Sequence, residues 1–371
     1  MRLLFMTNVP SPYRVDFFNE LGKLCDLTVY FEKNTSDERN DTWKEYSFNN
    51  FKGVFLKGRS TGVDSSFCPE VKKRLKEETY DHIICSDFST PTGMMAISYM
   101  RKHHIPYFLE ADGGTAKSGR GVKEKIKRYF IRGAAGYFST STSCDKYFST
   151  YGADKDKIYR YPFTSLYKSD ILDKPPTKEK KKRLREELNL KEEKILISVG
   201  RFSYLNGYGK GYDTLLKICE RLPNNIGVYI IGDEPTEAFI RWKNEKHLNQ
   251  LHYLPFKRKE ELFKYYQAAD LSVFLSRGEA WGLVINESMA NGLPVIATEA
   301  CVAGLELIEH GKNGFIVPVD AVEKTKEIIM DYLTDKSKYN EMSGAALKKI
   351  KTHTIEDMAR CHKECLLSLL D

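Results

Sequence analysis

The chain has 371 residues, of which 41% are hydrophobic and 29% are charged, and its formal net charge is +7. This length exceeds what one hydrophobic core usually supports, so we expect two domains. No apolar run approaches the roughly 18 residues that cross a bilayer, and residues 1–6 turn polar too soon for a signal peptide, so we expect a cytoplasmic protein. The eight cysteines include no C-x-x-C pair, which argues against disulfides and against a zinc site.

The first half of the chain alternates strand-like and helix-like segments, which predicts a parallel sheet with helices on both faces. The predicted strands cover residues 3–6, 27–31, 82–85, 107–109, 136–139 and 158–161, and the predicted helices cover residues 15–24, 70–78, 93–102, 122–132 and 144–151. The loops that follow the strands should face a ligand cleft. We assign residues 1–165 to this first domain.

Residues 117–132 contain seven positive side chains and one negative side chain, Glu124. Apolar residues recur at helical spacing, which predicts an amphipathic helix with basic flanks; they are Val122, Ile126, Tyr129 and Phe130. Two interpretations stay open: the helix contacts an anionic membrane surface, or its apolar stripe packs on the domain core while its lysines are solvated. We expect no nucleic-acid partner, because no recognisable DNA- or RNA-binding module accompanies these charges.

Pro175 and Pro176, followed by a charged run, mark the junction to a second domain, which we assign to residues 166–352. The alternation of strands and helices repeats there. Strands are predicted at residues 195–199, 228–231, 252–254, 271–275, 295–298 and 315–317, and helices at 212–221, 235–246, 259–268 and 282–291. Residues 321–333, 335–351 and 355–370 are predicted to be helical.

The segment 278–297 is the most informative part of the sequence. A helix predicted to begin near Gly282 has free backbone N–H groups and the positive end of its dipole beside Glu279, which favours a bound phosphate. Glu287 lies about 7.5 Å further along the axis at about 1.5 Å per residue, so it could accept hydrogen bonds from a ribose while Glu279 contacts a hexose. The predicted donor-binding residues are Ala280, Trp281, Gly282, Leu283, Val284 and Glu287.

Positive side chains are needed where a nucleoside diphosphate departs, because that group gains negative charge. Arg201 and Lys210 follow the predicted strand 195–199 at its carboxyl end, where open parallel sheets bind ligands.

Pro255 and Phe256 follow another strand and offer an apolar surface to a nucleobase. The Asp-x-Asp motif of metal-dependent enzymes occurs at Asp154, Lys155 and Asp156. Because these residues lie in a polar turn, we expect no metal site.

The segment around Glu279 resembles the signature of family 4 glycosyltransferases, which are retaining enzymes with the GT-B fold. That signature has Glu, seven residues and a second Glu, then Met-Ala-x-Gly-x-Pro-Val-Ile-Ala, and Glu279, Glu287 and residues 289–297 match it. The segments 198–211 and 311–317 are also similar to the family. In the family, however, the Lys lies four or five residues after the Arg, whereas here Lys210 lies nine after Arg201.

The resemblance implies an α/β fold of two facing Rossmann-like domains with parallel sheets and a cleft between them. It also implies that the last helix, within residues 353–371, packs back on the first domain. Further, it assigns catalytic roles to Arg201, Lys210 and Glu279 and implies metal-independent, retaining transfer.

The loop from Asn8 to Arg14 is similar to a segment of transferases that build bacterial capsule, exopolysaccharide and O-antigen units. The resemblance places this loop at the acceptor, with Arg14 on the diphosphate of a lipid-linked glycan, although Ser11 suits a helix cap and turn equally well. Glu110 and Asp112 precede two glycines that permit close approach of a ligand. These carboxylates either contact a sugar hydroxyl or belong to a structural turn.

Together these observations predict an enzyme that moves a hexose from a nucleotide diphosphate sugar to a lipid-linked glycan acceptor in cell-surface polysaccharide synthesis. We expect no cofactor and a UDP-sugar donor, although the residues do not distinguish uracil from guanine or adenine. We expect a cytoplasmic location with peripheral contact to the inner face of the membrane. A nucleotide-sugar epimerase or phosphorylase of the same architecture, and a catalytically silent nucleotide-sugar-binding subunit, stay open as alternatives.

Overall fold

The computed structural model describes residues 1–34, 46–114 and 121–369. The chain divides into two compact units, a first unit of Met1–Ser165 with His353–Asp371 and a second unit of Leu166–Thr352. Both are built on parallel sheets, as predicted. Across the described ranges, no helix combines the length and the apolar composition that a membrane span requires.

The first unit contains a parallel sheet covered by helices. Its strands are β1 (Arg2–Thr7), β2 (Asp26–Phe31), β3 (Lys52–Phe55), a small antiparallel pair β4 (Arg59–Ser60) and β5 (Ser66–Phe67), β6 (His82–Cys85), β7 (Phe108–Ala111), β8 (Gly136–Ser139) and β9 (Ile158–Arg160). Its first helices are α1 (Pro12–Gly22), α2 (Glu70–Glu77), α3 (Pro91–Lys102), α4 (Val122–Ile131) and α5 (Thr142–Thr150). In the described residues the main sheet has the order β3-β2-β1-β6-β7-β8-β9. Strand β1 is buried on both faces because helices cover both sides of a parallel sheet.

The second unit repeats this plan. Its helices and strands are α6 (Lys178–Glu187), β10 (Lys194–Val199), α7 (Tyr212–Cys219), β11 (Ile226–Gly232), α8 (Glu237–Glu245), β12 (Leu251–Pro255), α9 (Lys259–Ala268), β13 (Leu271–Phe274), α10 (Leu283–Ala290), β14 (Val295–Thr298), α11 (Val302–Leu307), β15 (Gly314–Val317), α12 (Val322–Thr334) and α13 (Lys336–Ile350). The sheet order is β12-β11-β10-β13-β14-β15. The chain leaves β10 toward β11 on one side and returns to β13 on the other, so the loops after β10 and β13 meet at a topological switch point.

The last helix, α14 (Ile355–Leu367), belongs to the first unit and packs against α1. Its apolar face buries Ile355, Met358 and Leu366. His362 on the same helix is fully buried, and its ring stacks on Phe138 of β8 with centroids 4.5 Å apart.

Helix α4 exposes the apolar stripe that was predicted from its sequence. Val122, Ile126 and Tyr129 are 73%, 45% and 49% exposed, whereas Ile131 at the end of the helix is buried. The interpretation that this stripe packs on the domain core is therefore wrong for these three residues. Residues 117 and 120 of the basic segment lie outside the described residues.

Candidate active site

Two loops at the carboxyl edge of the second sheet bring together the predicted catalytic side chains. Lys210 precedes α7, and Glu279 lies in the loop between β13 and α10. The ammonium Nζ of Lys210 lies 2.5 Å from Oε2 of Glu279, and both side chains are mostly buried. The structure thus pairs these residues despite the long spacing between Arg201 and Lys210.

The longer spacing is taken up by a 3₁₀ segment, Tyr204–Lys210, with an unusual backbone. Leu205, Asn206 and Gly207 follow one another with φ of 50°, 53° and 85°. Only glycine adopts this left-handed region without cost. Such a run persists when the surrounding structure holds it in place.

Arg277 holds the 3₁₀ segment in place. Its backbone N–H donates to the carbonyl of Gly209 at 3.0 Å, and its guanidinium donates to the carbonyl of Tyr208. The same guanidinium donates to both oxygens of Asp213, at 2.7 and 2.9 Å, and to Asp320. Hydrogen bonds with Asp213 and Asp320 raise the pKa of Arg277 above its usual value despite burial. Sequence reasoning missed Arg277, because its partners lie far away in the chain.

Arg201 lies in a turn that is fixed by Asp233, the residue after β11. The carboxylate of Asp233 accepts hydrogen bonds from the backbone N–H of Phe202 and, at 3.0 Å, from that of Ser203. The Arg201 side chain is partly exposed, and its guanidinium forms no ion pair with any residue that the structure describes. This leaves a positive charge available for a ligand at the same edge as Lys210.

The loop from Glu279 to Gly282 is fastened to the segment before α11. Glu279 N–H donates to the carbonyl of Ala300 at 3.1 Å, and Ala303 N–H donates to that of Trp281 at 2.9 Å. The Trp281 ring is buried, and its indole N–H donates to Asn286 Oδ1 at 2.8 Å. Any donor contact by Trp281 must therefore come from its backbone.

Helix α10 begins where the sequence predicted, with Gly282 as N-cap at a φ of +107°. A β-carbon at Gly282 would lie 2.8 Å from Cys301 Sγ. The first N–H groups of α10, including those of Leu283 and Val284, therefore follow a residue that must be glycine. Such a helix start favours an anionic ligand.

Glu287 lies on α10, partly exposed, and its Oε2 accepts a hydrogen bond from the buried Tyr266 hydroxyl at 3.2 Å. This contact orients the Glu287 carboxylate. Pro255 ends β12, and Phe256 follows with its ring more than half exposed. Both lie after a strand of the same sheet, and their contact with a base stays a prediction.

In the first unit, Arg14 is occupied by internal partners. It forms an ion pair with Glu110 and donates from Nη2 to Asp112 Oδ1 at 2.9 Å. Glu110 is fully buried, and its Oε2 lies 3.1 Å from His362 Nε2. Arg14 and Glu110 thus tie α1, β7 and α14 together, and their contact with an acceptor stays a prediction.

The two carboxylates beside Arg14 differ in pKa. Burial opposes ionisation of Glu110, but Arg14 and His362 outweigh it and lower its pKa to about 2. Burial, only partly offset by Arg14, raises the pKa of Asp112 to about 6. The Asp112 side chain is 30% exposed, so it stays available as a sugar contact. Ser11 is buried as the N-cap of α1.

The Asp-x-Asp sequence lies at a capped turn. Asp154 caps a short 3₁₀ turn by accepting from the backbone N–H of Asp156 at 3.1 Å, and both residues are exposed.

Comparison with known proteins finds a family match within the second unit. Residues 180–349 match the family model described as Glycosyl transferases group 1. The matched residues include Arg201, Lys210, Glu279 and Glu287.

Two curated relatives match part of the chain. The D-inositol 3-phosphate glycosyltransferase of Mycobacteroides abscessus is 32% identical over 153 residues, which are 39% of this chain and 33% of that protein. An uncharacterized 41.2 kDa protein in the cps region of Klebsiella pneumoniae is 31% identical over 180 residues, which are 48% of this chain and 46% of that protein. The match spans less than half the length of either relative.

The fold of the whole chain also has solved counterparts. The structure of Anabaena HepE in complex with UDP aligns with a TM-score of 0.78 and 18% identity, covering 99% of this chain and 100% of HepE. At this identity the likeness concerns the fold alone. The two-unit α/β architecture with parallel sheets is that of GT-B glycosyltransferases.

Proposed function

We propose that the protein is a retaining, metal-independent hexosyltransferase that takes its sugar from a nucleotide diphosphate donor. The observation that carries this proposal is the Lys210–Glu279 contact at the switch point of the second sheet. Arg201, which has a positive charge available, and the start of α10 lie in the loops of the same edge. This set combines donors for a diphosphate with an acceptor for sugar hydroxyls.

In the proposed reaction, the bond between the sugar C1 and the β-phosphate oxygen breaks while the acceptor hydroxyl oxygen bonds to C1 from the same face. The acceptor proton passes to the departing phosphate oxygen, so no protein base is required. Arg201, Lys210 and the α10 N–H groups stabilise the charge that develops on the diphosphate. Glu279 orients the hexose by accepting from its hydroxyls, and Glu287 accepts from the ribose.

The Lys210–Glu279 ion pair suggests how the Lys210 ammonium is positioned before the donor binds. Without donor, Glu279 keeps the ammonium in place and compensates its charge in a mostly buried position. When the diphosphate binds, the ammonium shares its three donors between phosphate and Glu279. This contact needs no metal ion to supply positive charge, which is why we propose a metal-independent reaction.

For the donor base we propose uracil, which is supported by the UDP bound in the HepE structure. For the acceptor we propose a lipid-linked glycan of cell-surface polysaccharide synthesis. The Klebsiella relative in the cps region supports this assignment. Asp112 is the candidate contact of the first unit for an acceptor hydroxyl.

The test begins with ligand binding. Thermal unfolding is followed with UDP, GDP, ADP and their hexose conjugates, since a ligand of the folded state raises the apparent stability. The best donor is then incubated with glycan acceptors, with and without EDTA, and the anomeric configuration of the product is read by NMR. We expect UDP stabilisation and a product of retained configuration that forms in EDTA. Free sugar as the sole product favours a phosphorylase, an isomerised donor favours an epimerase, and binding without turnover favours a silent subunit.

We further propose that α4 contacts the cytoplasmic face of a membrane. Its apolar residues Val122, Ile126 and Tyr129 face solvent instead of the core. Lys123 and Lys125 on the same helix are exposed as well. Apolar side chains flanked by lysines are typical of helices that lie in an anionic lipid interface.

Vesicle co-sedimentation tests this contact with a matched pair of variants. Ile126→Glu should abolish binding to phosphatidylglycerol vesicles, because it places a negative charge in the apolar stripe. Ile240→Glu is the control, since Ile240 lies in the second unit with 43% exposure, close to the 45% of Ile126. Equal loss in both variants, or equal binding of the wild type to phosphatidylcholine vesicles, contradicts the proposal.

A further inference from the structure

Tyr212, the first residue of α7, has a buried hydroxyl without a partner. Its side chain is 1% exposed, and its Oη accepts or donates no hydrogen bond among the residues that the structure describes. Other tyrosines of the same unit behave differently: the hydroxyl of Tyr332, for example, donates to the carbonyl of Asp270 at 3.2 Å. Buried polar groups are nearly always paired, so an exception calls for a functional explanation.

The hydroxyl lies close to the backbone of Gly200. A β-carbon added to Gly200 would lie 2.9 Å from Tyr212 Oη, and 3.4 and 3.5 Å from Cδ and Cε of Lys210. Gly200 directly follows β10 and precedes Arg201. The tyrosine hydroxyl and the Lys210 side chain therefore both pack against Gly200 at the carboxyl edge of the sheet.

The ring of Tyr212 is fixed by its neighbours. Its centroid lies 4.5 Å from that of Phe202 and 6.5 Å from that of Phe239. Burial, together with the charges of Asp233 and Glu279, raises the pKa of Tyr212, so the hydroxyl stays protonated. Asp233 itself is occupied by the backbone of residues 202 and 203. The hydroxyl is thus a rigidly placed donor that lacks an acceptor.

We propose that the Tyr212 hydroxyl donates a hydrogen bond to the β-phosphate of the bound nucleoside diphosphate, beside Gly200 and the Lys210 side chain. This inference rests on the proposed function, and it adds a binding residue to the donor site. The β-phosphate is the acceptor that fits, because the adjoining Lys210 ammonium also contacts the sugar-orienting Glu279. A preplaced donor loses little entropy when the ligand arrives.

Tyr212→Phe tests this role, because it removes the hydroxyl and keeps the ring packing. We expect the unliganded variant to be at least as thermally stable as wild type, because no protein hydrogen bond is lost. Calorimetry should show UDP affinity reduced about tenfold, as for the loss of a hydrogen bond to a charged group. The affinity for UMP, which lacks the β-phosphate, should change less than about twofold.

Tyr332→Phe is the matched control, since that buried hydroxyl has an internal partner. It should lower thermal stability and leave UDP affinity unchanged. Two results overturn the inference while the proposed function stands: Tyr212→Phe binds UDP as wild type does, or it loses stability as Tyr332→Phe does. A wild-type protein that binds none of UDP, GDP and ADP overturns the proposed function and the inference together.

Discussion

Lys210→Met removes the ammonium from the candidate site while keeping most of the apolar stem. In the wild type the stem lies beside Gly200 and the ammonium contacts Glu279. The substitution therefore changes charge at one point of the site with little loss of packing. We expect turnover to fall, because the departing diphosphate loses one of its two cations.

The size of the effect follows from the geometry. Two unit charges about 4 Å apart attract by about 4 kcal/mol at an effective dielectric constant of about 20. Glu279 competes for the same ammonium, so we expect about 2–3 kcal/mol of transition-state stabilisation to be lost. At 1.36 kcal/mol per factor of ten, this corresponds to about a 30- to 150-fold fall in kcat/KM.

The assay is the initial rate of nucleoside diphosphate release with donor and acceptor present. Lys264→Met serves as the control, because Lys264 pairs with Glu187 on the surface of the same unit. The control should keep wild-type rates, since surface ion pairs contribute little. If Lys210→Met retains kcat/KM within about threefold of wild type, then Lys210 does not stabilise the leaving group, and the reasoning from the charges fails.

Two further predictions concern the first unit. Glu110→Gln should lower the free energy of unfolding at pH 7 by about 3–5 kcal/mol, because it removes the buried charge between Arg14 and His362; an unchanged urea midpoint would contradict this. Burial raises the pKa of Glu32 to about 7, so its folded form binds a proton more tightly than its unfolded form. Stability should therefore fall by up to about 3 kcal/mol as the pH rises from 5 to 8, and Glu32→Gln should flatten this dependence; identical profiles in urea denaturation would refute it.

Much of the second unit could be predicted from local patterns. The strand 295–298 and the helix start near Gly282 follow from apolar runs, a glycine and a proline, and the structure has them at Val295–Thr298 and Leu283. Strand β3 was missed, because Lys52–Phe55 is short and only half-buried, with weak alternation. Its place in the sheet comes from pairing with β2, which the segment itself does not encode.

Some site residues could likewise be predicted from local patterns, whereas others could not. Glu279 and Lys210 were found by their positions after strands, but their contact depends on how two loops 69 residues apart are placed. Arg277 and Asp233 were missed because their roles consist of backbone hydrogen bonds to distant turns. The internal partners of Arg14 were missed, because the short motif around it does not reveal contacts with the distant Glu110 and Asp112.

The contacts that run from Arg14 through Glu110 to His362 have a practical consequence for dissecting the protein. A fragment that stopped at residue 165 would lack α14, uncover the ring of Phe138 and leave Glu110 without its His362 partner. Such a fragment should be insoluble or molten. An autonomous first unit would instead require residues 353–369 to be spliced directly behind residue 165, so that the discontinuous half of the molecule is encoded as one uninterrupted piece.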